Sequence, residues 1–143
     1  MLREREGLET VHFVHRLDRE TSGLVLVAKT PAAAKRCAEA FASGVVRKRY
    51  LALVEGRFPM AEVDARGCLV PDNHSPVRKK RRFYHDGGQP PGRAEACQTR
   101  LRGMQYRNGL TLVEAVPKTG RLHQIRATLL GLGYPVVGDK IYG

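Results

Sequence analysis

Arg107-Asn108-Gly109 separates two segments that read as strands, Ala94 to Tyr106 and Leu110 to Val116, with Pro117 ending the second. Asn-Gly suits a two-residue hairpin turn, because both of its residues tolerate the positive φ such a turn imposes. The chain is therefore expected to contain a long antiparallel hairpin. Val45 to Glu55 has the same period of two. Val46, Lys48, Tyr50, Ala52 and Val54 share one side, and Val45, Arg47, Arg49, Leu51 and Leu53 the other. This strand is basic in its first half and apolar in its second, with Tyr50 at the boundary. Gly56 to Val70 reads as a loop and then a short strand.

Two segments have helical period. Thr30-Pro31 supplies an N-cap and a first-turn proline, Ala34, Cys37, Ala38 and Phe41 form an apolar stripe, and Gly44 closes the helix. A second helix is expected over about 121–132, with Leu122, Ile125, Leu129 and Leu132 as its stripe. Arg126 projects from that stripe or its margin. An arginine facing a core needs a carboxylate or a phosphate, because an unpaired buried charge costs several kcal/mol.

The 143 residues suffice for one domain. Lys and Arg number 25 against 14 Asp and Glu, a formal charge of +11 that favours a polyanionic partner such as nucleic acid. Five consecutive cations, Arg78-Lys79-Lys80-Arg81-Arg82, lie in a proline-rich stretch, about 71–93, expected to be a solvated basic loop insertion that contacts RNA phosphates. Cys37, Cys68 and Cys97 are odd in number and far apart, which points to reduced thiols and a cytoplasmic protein. Met1 to Gly7 is charged and lacks the apolar core of a signal peptide, and no apolar run is long enough for a membrane span.

Several chemistries find no template. There is no phosphate-binding glycine loop, and Thr21-Ser22-Gly23 is not a nucleophile elbow. His12, His15, His74, His85 and His123 have no metal-ligand spacing, so no metal is expected. What stands out is Asp18. Val11 to Asp18 suggests a strand with a polar end, Arg19 to Gly23 a turn, and Leu24 to Ala28 a strand buried on both faces. A carboxylate at such an edge is ordinarily a surface ion pair. It is also where scaffolds present reactive groups, and Asp18 is a plausible partner for Arg126.

His15-Arg16-Leu17-Asp18-x-x-Thr21-Ser22-Gly23-Leu24 with Ala28-Lys29 resembles the signature of RluA-type pseudouridine synthases. Lys48-Arg49-Tyr50-Leu51-Ala52 with Gly56 resembles their second motif. Thr119-Gly120-Arg121-Leu122-His123-Gln124-Ile125-Arg126, with Gly133-x-Pro135, Gly138-Asp139 and Tyr142-Gly143, resembles their third. The resemblance implies an α+β catalytic core, a mixed and largely antiparallel sheet flanked by helices, working without a cofactor. It implies isomerisation of uridine to pseudouridine in ribosomal or transfer RNA. Asp18 maps onto the catalytic aspartate, Tyr50 onto the tyrosine that stacks on the base, and Arg126 onto the arginine that pairs with the aspartate. Arg16 maps onto the residue beside the extruded nucleotide, and His15, Arg121 and His123 are expected at the substrate. RNA is the expected partner, with no membrane and no obligate protein partner.

Family members carry a strand and a Lys-Pro-x-Gly motif before the aspartate motif and further strands after the Tyr-Gly element. Residues 1–143 are accordingly expected to form a catalytic domain incomplete at both ends. Leu122 stands where Ser or Thr is common, a change expected to be tolerated. The alternative is a non-catalytic RNA-binding module derived from a truncated synthase. A glycosidase-like hydrolase is disfavoured, because no obvious second carboxylate lies near Asp18 to serve as acid, Glu20 on the turn being the nearest.

Overall fold

The computed structural model describes residues 2–5, 7 and 10–143, which gather into two compact units, Met1–Val46 and Arg47–Gly143. The first unit holds helix α1 (Leu2–Arg5), strand β1 (His12–Phe13), strand β2 (Val27–Ala28) and helix α2 (Pro31–Ala42). Strand β1 pairs antiparallel with β2, placing His12 opposite Ala28 and Phe13 opposite Val27. Both expected strands are thus much shorter than their apolar runs. Only Ala28 of the second run is buried, and Leu24 is 94% exposed. A two-residue ladder offers no sheet to cover the rest, and a short apolar run cannot by itself reveal whether it has partners.

Helix α2 forms where the sequence places it. Thr30 Oγ1 accepts from the Ala33 N–H at 3.2 Å, Pro31 opens the first turn, and Gly44 takes φ +75° just past the end. Its half-buried side is Ala33, Ala34, Cys37, Ala40 and Phe41; Ala38, expected in the stripe, is exposed.

In the second unit five strands form one sheet in the order β3-β7-β6-β4-β5, every pairing antiparallel. They are β3 (Tyr50–Glu55), β4 (Glu62–Pro71), β5 (Arg81–His85), β6 (Glu95–Arg107) and β7 (Leu110–Pro117). The hairpin expected from Asn108-Gly109 is present. Arg107 faces Leu110, and the turn residues have φ of 50° and 80°.

Strand β3 begins at Tyr50, so its expected basic half is not strand. Tyr50 faces Ala115, and two positions further the ladder would meet Pro117, which has no N–H to offer. The faces are as the alternation predicts. Val54 is buried and Tyr50 and Ala52 pack against the core, while Leu51 and Leu53 point outward.

The stretch 71–93 is not one solvated arm. Strands β4 and β5 form a second hairpin across it, with Phe83 buried in the core and the Asp72 N–H donating to the Lys80 carbonyl at 3.1 Å. Charge counting missed this because Phe83-Tyr84 supplies too short an apolar signal beside five cations. Gly67 permits the close pairing, since a Cβ there would lie 1.9 Å from the Tyr84 carbonyl oxygen. Gly67→Ala is expected to strip β5 from the sheet and cost about 3 kcal/mol, read as a lowered urea midpoint; an unchanged midpoint would contradict the packing.

Helix α3 (Gln124–Gly131) is shorter than expected. His123 precedes it in the left-handed region, φ 54°, and the Gln124 N–H turns back to the Arg121 carbonyl at 3.2 Å. Leu122 therefore lies outside the helix and is exposed, while Gln124, Ala127, Thr128 and Leu129 form the buried side. Leu129 and Tyr142 complete a core with Val54, Phe58, Leu101 and Val113.

Candidate functional site

In the first unit, His15 is spent on local structure. Its Nε2 accepts the Leu26 N–H at 2.8 Å, and its ring lies 4.9 Å from Phe41. The imidazole thus clips the segment after β1 to the segment before β2. Between the clipped points, the Asp18 carbonyl accepts from the Thr21 N–H at 3.0 Å, closing a turn. Asp18 is half-buried in this turn rather than at a strand end, and Arg16 is exposed.

The second unit carries the other two motifs. Tyr50 opens β3, half-buried. Lys48, two residues earlier, donates from Nζ to the Thr119 carbonyl at 3.1 Å, tying the second motif to the third. The third motif is pinned from within by Gln124. Its Nε2 donates to the Gln98 carbonyl (3.0 Å) and Thr99 Oγ1 (2.9 Å). Its Oε1 accepts from Thr119 Oγ1 (2.8 Å) and the Arg121 N–H (2.9 Å). A buried amide with both its ends satisfied rigidifies the loop around it. Arg121 donates from Nε to the Ala96 carbonyl at 3.1 Å and lies 3.9 Å from a Glu95 oxygen.

Arg126 projects from α3 and meets a carboxylate of this unit, Asp139. Its Nε and Nη2 donate to Asp139 Oδ2 and Oδ1 at 2.6 and 2.9 Å, with the two side chains only 16% and 5% exposed. Asp139 Oδ1 also accepts from the Ile141 and Tyr142 N–H groups at 2.9 and 3.1 Å. Burial alone would push the Asp139 carboxyl up; the Arg126 hydrogen bonds and the two backbone donors outweigh it and hold it at about 2. The Tyr142 ring lies under the guanidinium, 5.0 Å from its carbon. The Tyr142 oxygen accepts from the Arg81 N–H at 2.8 Å and meets His123 Nδ1 at 3.0 Å. Burial pushes the Tyr142 hydroxyl above its ordinary range.

The basic run is divided by this arrangement. Arg78 and Lys79 are exposed at the β4–β5 turn. Lys80 Nζ lies 5.7 Å from the Tyr142 ring centre, Arg81 joins Tyr142 through its backbone, and Arg82 pairs with Asp72 at 3.4 Å.

The structure brings Arg126, His123, Lys80 and Arg81 around one residue, Tyr142, which the sequence analysis placed in the third motif without a role. Asp139 was legible as a motif position in a turn-rich loop, but its pairing was not, since a lone loop carboxylate has no period. Gln124 had one available signal: a polar residue beside an apolar helical stripe needs a partner. Asp18, His15 and Arg16 lie in the Met1–Val46 unit; Tyr50, Arg121, His123 and Arg126 lie in the other. Among the described residues no three His, Cys, Asp or Glu side chains gather as a metal site.

A family model described as RNA pseudouridylate synthase matches residues 2–130. The chain is 34% identical over 143 residues to human pseudouridylate synthase RPUSD2, covering 99% of the chain and 24% of that protein. It is 37% identical over 131 residues to ribosomal large subunit pseudouridine synthase D of Nitrosomonas europaea, covering 91% of the chain and 35% of that protein. The solved structure of human RNA pseudouridylate synthase domain containing 1 superposes with a TM-score of 0.86 at 31% identity, covering 99% of the chain and 58% of that structure. The chain thus spans from a quarter to somewhat over half the length of these relatives.

Proposed function

The chain belongs to the RNA pseudouridylate synthase family, and we propose that it acts as catalytic core of an enzyme converting uridine to pseudouridine in ribosomal or transfer RNA. The observation that supports this most is the lock on Arg126. Asp139 grips the guanidinium by its Nε and Nη2 edge, which fixes the direction in which the rest of the group faces. A guanidinium oriented this way suits a fixed electrostatic role.

The isomerisation breaks the N1–C1′ bond, turns the base, and forms C5–C1′; C5 loses its proton and N1 gains one, so the product keeps its mass. A uridine within structured RNA must first leave its stack. In this proposal the Asp18 carboxylate attacks C1′ or stabilises positive charge developing there. Arg126 supplies a fixed positive charge to the reaction. Tyr50 faces the flat base and helps remove the C5 proton. Arg16 occupies the space beside the extruded nucleotide, and His15, Arg121 and His123 border the substrate. Exposure of Arg78 and Lys79 supports the reading of the basic hairpin as a phosphate contact. Three free thiols are in keeping with a reducing, cytoplasmic setting.

Incubation with RNA followed by digestion to nucleosides tests the reaction type. The proposal expects pseudouridine, of unchanged mass and reactive to carbodiimide. Free uracil would replace it with a hydrolase, and binding without product with a non-catalytic RNA-binding module.

A further inference from the structure

The residues before β3 treat their charges differently. Arg49 pairs with Glu114, which also receives Arg102 at 3.7 Å. Among the described residues Lys48 has no such partner: no carboxylate pairs with it, and it is half-buried with one acceptor, the neutral Thr119 carbonyl. An ammonium has three donors, so two are left for another acceptor. Burial without a counter-charge pulls the Lys48 ammonium below its ordinary range, the sign that its charge is under-compensated.

Next to this ammonium the backbone is bare. A Cβ on Gly120 would lie 3.3 Å from Lys48 Nζ. With glycine there, that side of the ammonium is not crowded by a side chain. The Thr119 carbonyl is itself held in place, because the Gln124 amide fixes the Thr119 hydroxyl. The charge is therefore directed by a rigid loop.

We propose that Lys48 binds a phosphate of the RNA strand at the target uridine, using the donors that Thr119 leaves over. The proposal rests on the RNA-modifying reading above. Lys48 is two residues from Tyr50, about 7 Å of extended chain, so a base lying on Tyr50 carries its own or the adjoining phosphate within reach of a lysine side chain. The phosphate supplies the missing counter-charge, and the lysine fixes the backbone register without reading sequence.

The test is binding of a labelled oligouridylate across a salt series by wild type, Lys48→Met and Lys48→Arg. Each phosphate contact to a single strand contributes about 0.7 to the slope of log affinity against log salt. Lys48→Met is expected to lower the slope by about that amount, and Lys48→Arg to keep it. A lysine serving only as a tether to Thr119 would lower the thermal midpoint of Lys48→Met and leave its slope unchanged, which would overturn the proposal. Should Lys48→Met fail to fold, the ¹⁵Nζ resonance of Lys48 in the wild type decides. A shift on adding oligouridylate is expected, and no shift would overturn the phosphate contact. Failure of the synthase reading is distinguishable: a chain with a Lys48-dependent slope that forms no pseudouridine keeps the contact and loses the enzyme.

Discussion

Asp139→Ala is expected to lower the stability of the chain by about 3–5 kcal/mol, the cost of breaking a buried ion pair by removing one partner. The substitution removes both acceptors of the Arg126 fork, whose side chain is only 16% exposed, and leaves the Ile141 and Tyr142 N–H groups without theirs. Asp139→Asn keeps an acceptor for the backbone donors but loses the charge, so it is expected to cost less. Urea denaturation at neutral pH reads both; a loss below about 1 kcal/mol for Asp139→Ala would show the pair to be a surface-like contact. The same pair gives a pH signature. Asp139 titrates at about 2 in the folded chain and near 3.9 when unfolded. Its folded value is the lower one, so its contribution is complete above about pH 4 and is lost as pH falls through 4 toward 2. Wild type should lose on the order of 2 kcal/mol across that window through this group, and Asp139→Asn should not. Activity should fall with the charge, because the lock orients Arg126.

How much of this could be read from the chain follows from where each signal resides. The β6–β7 hairpin was legible because Asn108-Gly109 specifies both turn type and register, and α2 because Thr30-Pro31 and Gly44 mark its ends. Strand β5 was hidden, because its pairing depends on Gly67 letting the Tyr84 carbonyl approach, a contact between residues far apart in sequence. The start of α3 was misplaced by three residues, since His123 adopts a left-handed conformation that its own residue type does not announce. The three motifs carrying Asp18, Tyr50 and Arg126 were visible as order and spacing. The need of Arg126 for a carboxylate was also visible from its place on the helix. That Asp139 meets it within the same unit, with Tyr142 beneath, was not, because a loop brings them there after turns at Gly133 and Gly138.

These placements bear unequally on catalysis. Arg126, Gln124 and Asp139 form a supporting frame whose loss would lower stability and activity together. Asp18 is different. It sits in a turn whose surrounding segments are clipped by the His15–Leu26 bond, and its proposed role is at C1′ of the substrate. Removing its carboxylate should abolish the chemistry, the second large effect expected here. A lost nucleophile or charge stabiliser at C1′ costs several powers of ten in rate.

The most direct measurement is pseudouridine formed per enzyme in a common RNA preparation by wild type and Asp18→Ala, with circular dichroism showing equal folding. Wild type is expected to form product, and Asp18→Ala none above background. Equal product from the two folded proteins would contradict the role assigned to Asp18.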